Sequence, residues 1–154
     1  MNVLNEDFRD FLEALLAEEA RFLVVGAYAL ALHGIPRATG DIDIWLESRE
    51  ENAERVWRAL QRFGAPTAAL GVSREDLVKP GLVIQLGLPP RRIDLLTEIS
   101  GVGFSEAWEN RVTQTVDGLP LPFLDREALL RNKRASGRKK DLADVEALER
   151  GETP

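Results

Sequence analysis

Phe22-Leu-Val-Val-Gly26-Ala27, then Tyr28 to Gly40, then Asp41-Ile-Asp43-Ile44: this stretch decides the fold of the 154-residue chain. Phe22 to Val25 is a short, continuous apolar run that stops at a glycine, the pattern of a strand buried on both faces and so of a sheet centre. Ala27 to His33 are good helix formers, and Gly34-Ile-Pro36 ends them. Asp41 to Glu47 then alternates, with Ile42, Ile44 and Leu46 on one side and Asp41, Asp43, Trp45 and Glu47 on the other. The segment therefore predicts a strand, a tight turn, a short helix, a loop and a second strand.

On a strand, residues two apart share a face, so Asp41 and Asp43 stand side by side. Two carboxylates that close repel, and either a proton or a hard divalent cation resolves the conflict. Asp94, between Ile93 and Leu95 in a second alternating stretch, repeats the device, and pairing of the two strands would bring three carboxylates together. An isolated Asp-x-Asp more often merely begins a half-solvated strand. The preceding turn adds weight here, because backbone N–H groups after Gly26 can face an anion and the missing side chain admits a phosphate.

Working outward, Asn5-Glu-Asp7 opens a helix carrying Phe8, Phe11, Leu12, Leu15 and Leu16 at helical spacing. Ser48 and Glu51 read as a capping box for a helix with Ala53, Val56, Trp57 and Leu60 inward and Gly64 at its end. Ser73-Arg-Glu-Asp76 starts a short turn that Pro80-Gly81 stops. Leu82 to Leu88 and Arg92 to Thr97 read as strands, as do Val112 to Val116 and Leu119 to Leu124 around the hairpin signal Asp117-Gly118. Pro120 and Pro122 predict that the last strand lies at an edge. Asp125 caps a helix with Leu129 and Leu130, and a final helix presents Leu142, Val145 and Leu148. The class is α+β with a mixed twisted sheet, expected as one domain over 1–154 with a sheet core at about 20–124 and C-terminal helices at about 125–150.

The order apolar strand, Gly26, spacer, Asp41-Ile-Asp43 resembles the signature of the polymerase-beta-like nucleotidyltransferase superfamily. Val25 to Gly34 and Pro36 to Asp41 are especially similar to the minimal bacterial nucleotidyltransferases of toxin–antitoxin and phage-defence systems. The resemblance implies the nucleotidyltransferase fold, a metal site for Mg²⁺ or Mn²⁺ on Asp41, Asp43 and Asp94, and ATP or another NTP as substrate. It also implies transfer of a nucleoside monophosphate to an acceptor hydroxyl on an RNA end, a protein or a small molecule. Ala27 stands where that family has Gly or Ser, which removes a hydroxyl but keeps a backbone N–H. A second expectation is a partner-binding component of a toxin–antitoxin pair that keeps the fold and transfers poorly or not at all.

In that family a late lysine and a following acid face the nucleotide, which Lys133 and Asp141 match. Arg138 or Lys140, and Arg37 and Thr39 before the carboxylates, are further phosphate candidates. Asp141, Asp144, Val145 and Leu148 have the spacing i, i+3, i+4, i+7, so both acids border the inward stripe. A mutual salt bridge between these bases and acids is the competing reading. His33, the one histidine, reads as a packing or capping group, and Trp45, on the carboxylate side, as packing or as a contact for a base.

Composition narrows the field. With 44% hydrophobic and 30% charged residues and no long apolar run, neither a disordered nor a membrane chain fits. No cysteine is present, and the first residues carry acids where an export signal carries bases, so a cytoplasmic protein is expected. A net charge of −6 disfavours a broad nucleic-acid face. Six of the 20 basic residues nevertheless fall in one block, Arg131, Lys133, Arg134, Arg138, Lys139 and Lys140.

Overall fold

The computed structural model describes residues 3–37 and 39–151. In chain order the elements are α1 (Glu6–Ala17), β1 (Phe22–Val25), α2 (Gly26–Leu32), β2 (Ile42–Leu46), α3 (Glu50–Phe63), α4 (Thr67–Leu70), a 3₁₀ turn (Arg74–Val78), β3 (Val83–Leu86), β4 (Ile93–Leu96), α5 (Phe104–Glu109), β5 (Val112–Val116), β6 (Leu119–Phe123), α6 (Arg126–Ser136) and α7 (Lys139–Arg150). The strands form one mixed sheet in the order β3-β4-β2-β1-β6-β5. β1 is fully buried and near the middle, as its unbroken apolar run requires.

Sequence signals for helix ends hold at most positions. The Asn5 side chain accepts from the Phe8 N–H at 2.9 Å, Asp125 accepts from Ala128, and Gly64 and Gly137 close their helices in the left-handed conformation. Ser73 and Asp76 form a capping box on the 3₁₀ turn. Ser48 does not cap α3: its hydroxyl donates to the Thr97 carbonyl at 2.9 Å, tying the end of β2 to the end of β4, and Arg49 occupies the cap position without a side-chain bond. Asn52 secures the start of α3 instead, donating to the carbonyls of Arg21 and Glu47 and accepting from the Arg21 N–H.

Two further expectations are corrected. β6 is an interior strand, between β1 and β5, despite its prolines. Its link to β1 is a parallel ladder with the single register pair Val24↔Phe123, extended by the Leu124 N–H donating to the Val24 carbonyl at 3.1 Å. Pro120 and Pro122 alternate in step with Leu124, so their missing donors fall on the β1 side and shorten that ladder. β6 pairs fully with β5, which forms the edge. In α7, Val145 and Leu148 are buried as expected, but Leu142 is exposed and Asp141 and Asp144 take the inward positions.

The core is a cluster that joins α1, β1, β2, α3, β4, β6, α6 and α7, with Phe11 packed edge-on against Phe63 at 5.3 Å between ring centres. Among the described residues no helix is long and apolar enough to cross a membrane. At the loop before β2, a Cβ built on Gly40 would sit 1.4 Å from the Pro90 carbonyl oxygen, so only glycine lets this loop close against the β3–β4 connection. Gly40→Ala is expected to lower stability by about 1–3 kcal/mol, measured by urea unfolding, because backbone rather than a yielding side chain fills the space.

Candidate functional site

Strand register builds the site. β2 runs antiparallel to β1, setting Asp43 opposite Val25, the last residue before Gly26, and β4 runs parallel to β2, setting Asp94 opposite Asp43. Gly26 has φ +65°, and a Cβ on it would lie 2.1 Å from Asp43 Oδ2. A side chain at position 26 would thus collide with the carboxylate. Glycine is needed here for the acid as well as for any anion.

Asp94 is buried and Asp43 and Asp41 are partly buried. Burial, then the charges of Asp94 and Asp41 and a hydrogen bond shared with Asp94, push the Asp43 carboxyl up to about 6. Arg92 counters in part: its Nε donates to Asp94 Oδ1 at 2.6 Å, its Nη2 donates to Asp94 Oδ2 at 3.1 Å and lies 3.4 Å from Asp41 Oδ2, and its backbone N–H donates to Asp41 Oδ1 at 3.0 Å. Among the described residues no three acids or histidines are disposed to hold a metal ion as they stand. Asp41 and Asp94 are turned to Arg92, which is the physical reason.

These carboxylates open on a cleft of about 240 Å³ lined also by Gly26, Ala27, Leu30, Arg37, Thr39, Lys133, Arg138, Lys140 and Asp141. The metal and phosphate candidates from the sequence therefore line one cleft, and Trp45 does not. Opposite the acids, the Lys133 ammonium is buried and donates to Asp141 Oδ1 at 3.1 Å and to Asp144 Oδ2 at 3.0 Å. Arg37 makes a two-pronged bond to Asp144, tying the loop before β2 to α7. Burial alone would raise Asp141, but hydrogen bonds from Ser136, Lys133 and Arg138 outweigh it and hold the carboxyl at about 2. Thr39 Oγ1 accepts from the Asp41 N–H at 3.2 Å. The ion pairs of the competing reading are real, and they line the cleft.

No protein-family model matches the sequence, and neither does any curated protein. Solved structures do match. One is TM1012 of Thermotoga maritima, described as a candidate nucleotidyltransferase, at 18% identity and TM-score 0.57, covering 93% of this chain and 88% of that one. Another is the lincosamide antibiotic adenylyltransferase LnuA with lincomycin bound, at 17% identity and TM-score 0.57, covering 97% of this chain and 98% of that one.

The chain has the nucleotidyltransferase fold.

Within this nucleotidyltransferase fold, Trp45 cannot touch a base: it is buried, its ring edge-on to Phe104 at 5.0 Å. His33 caps α2 and its Nε2 donates to the Leu124 carbonyl at 2.9 Å. Sequence reasoning passed over Arg92 and did not foresee Arg37 as the partner of Asp144. The signal for Arg92 was available, since it stands two residues before Asp94 and so shares its side, the rule applied to Asp41 and Asp43.

Two outcomes follow from the charges. In its folded place the Asp43 carboxyl holds its proton more tightly than the ordinary value near 3.8, so stability falls as pH rises from about 4 to 6 and the full penalty applies above. Asp43→Asn should therefore stabilise the protein in EDTA by up to about 3 kcal/mol at pH 8, the gain vanishing below pH 4, in melts followed by circular dichroism. Lys133→Ala removes a buried cation from two carboxylates that keep Arg37, Arg138 and Ser136 as partners, and should cost about 1–3 kcal/mol in chemical unfolding.

Proposed function

We propose that the protein transfers a nucleoside monophosphate from an NTP to an acceptor hydroxyl with the help of Mg²⁺. The observation that carries this reading is the register pair Asp43↔Asp94 beside Gly26, at the mouth of a cleft whose other wall is basic. The fold it sits in is that of nucleotidyltransferases.

In kind the donors suit a hard divalent ion, being all oxygen, with Asp43 and Asp94 on strands and Asp41 just before β2; Asp41 and Asp94 would have to turn from Arg92 to hold it, and the raised Asp43 carboxyl marks a like-charge conflict that a cation would relieve. Asp41, Asp43 and Asp94 would hold the ion, which would neutralise charge on the phosphates and on the departing pyrophosphate. The chain's own residues do the rest. Asp94 is placed to accept the proton of the attacking hydroxyl. Lys140 faces the phosphates from the first turn of α7, Arg138 just before that helix joins it only by leaving Asp141, and the backbone at Gly26 closes against them without a side chain in the way. Arg37 and Lys133 act by holding the loop and α7 in place, since their charges are taken by Asp144 and Asp141.

The acceptor is read from the same charges. Within the basic block, Arg131 pairs with Glu106, Arg134 with Glu149, Arg138 with Asp141 and Lys133 with both aspartates, and only Lys139 and Lys140 lack a partner among the described residues. Of these only Lys140 lines the cleft, and so little free positive charge suits a triphosphate better than a long polyanion. A small hydroxylated molecule is therefore the favoured acceptor, in keeping with lincomycin in the LnuA structure. Incubation with α-labelled NTPs and Mg²⁺, in separate arms holding small hydroxylated compounds, total protein and total RNA, should label the small-molecule arm. Asp43→Asn should cut that labelling at least about a hundredfold; label transfer untouched by the substitution would sink the assignment.

A further inference from the structure

Arg92 immediately precedes β4, and its guanidinium bridges two of the three carboxylates. Between its side chain and its backbone N–H, all four carboxylate oxygens of Asp94 and Asp41 have a partner: both of Asp94 through the guanidinium, Asp41 Oδ2 through the guanidinium, and Asp41 Oδ1 through the main chain. Of the cations that line the cleft, Arg37, Lys133 and Arg138 are engaged with Asp144 and Asp141, and neither they nor Lys140 bond to this trio. Arg92 is thus the one cation that occupies the acids the proposed metal would need.

We propose that Arg92 is a positioning residue that acts as a resident counter-ion. It holds Asp41 and Asp94 in place until the divalent ion arrives, gives up their oxygens to that ion, and turns its guanidinium to the triphosphate. The inference rests on the reading of the cleft as an NTP site. A guanidinium keeps its charge at every working pH, so no proton loss releases the acids; only a competing cation does. The side chain is 23% exposed, so it is not enclosed between the strands. Its planar fork pairs with phosphate as well as with carboxylate, so a bound triphosphate offers it a new partner. Metal and nucleotide then bind cooperatively, because each makes the displacement demanded by the other easier.

The test is direct binding to the full chain rather than turnover. Mn²⁺ alone is titrated against wild type, Arg92→Gln, Arg92→Lys and Asp43→Asn by electron paramagnetic resonance of the free ion, and ATP alone is titrated in EDTA by calorimetry. Arg92→Gln should bind Mn²⁺ about tenfold more tightly than wild type and ATP about tenfold more weakly. Arg92→Lys, whose point charge cannot span both acids, should fall between and serves if the glutamine variant does not fold. Equal Mn²⁺ affinity in wild type and both Arg92 variants, with loss in Asp43→Asn, overturns the role of Arg92 and leaves the NTP site standing. Failure of every protein to bind either Mn²⁺ or ATP overturns both.

Discussion

Everything in this molecule's candidate site depends on one strand pairing: β4 lies parallel beside β2 with Asp94 level with Asp43. Adjacent strands are about 4.8 Å apart, so the two carboxylates are held at a distance at which like charges conflict, in a place where burial sharpens the conflict. The neighbouring features each answer that pairing. Gly26 gives up a side chain to make room for Asp43 Oδ2, Arg92 supplies a positive charge, and the Asp43 carboxyl holds its proton unusually well. The tie between Ser48 and Thr97 fixes the far ends of the same two strands, so the register cannot slip without breaking it.

A second charged group faces the first across the cleft and is built on different terms. Lys133, Arg37 and Arg138 surround Asp141 and Asp144, with Ser136 completing the hydrogen bonds of Asp141. Breaking such a pair is far more costly than the pair is worth in net terms, because the remaining charge is left buried. The network therefore fixes position more than it adds stability. It binds α6 to α7, and through Arg37 it binds both to the loop that leads into Asp41. The basic wall and the acidic wall are in this way held to each other by side chains rather than by the sheet.

How much of this was legible in the sequence follows from range. The β1–Gly26–β2 segment could be read because each of its signals is local: an apolar run, a glycine, and an alternation of period two. The convergence of Asp94 on Asp43 could be expected on the same grounds, given only that the two strands pair. What escaped reading is what depends on which partner arrives from elsewhere. Ser48 carries a capping signal, yet Thr97 claims its hydroxyl. Pro120 and Pro122 signal an edge, but the sheet accommodates them by shortening one ladder. Trp45 sits on the acidic side of its strand, where Phe104 covers it. Leu142 has a helical period that fits the core, and two aspartates take the inward positions because a lysine and an arginine wait for them.

The two walls also explain how an acidic chain could take a polyanionic substrate. Net charge describes solubility and long-range approach, whereas binding is decided within about a Debye length, roughly 8 Å at physiological salt. At that range the cleft is bipolar. Three carboxylates line it, two of them bonded to Arg92, together with Arg37, Lys133, Arg138, Lys140 and Asp141. A triphosphate carrying a divalent ion, the substrate proposed above, would likewise bring both signs of charge. Neither half matches the cleft alone: a bare ion meets Arg92, and a bare triphosphate meets Asp43 and its neighbours. On the proposed reading the arrangement would favour the pair over either half, through the charges that the β2–β4 register first brings into conflict.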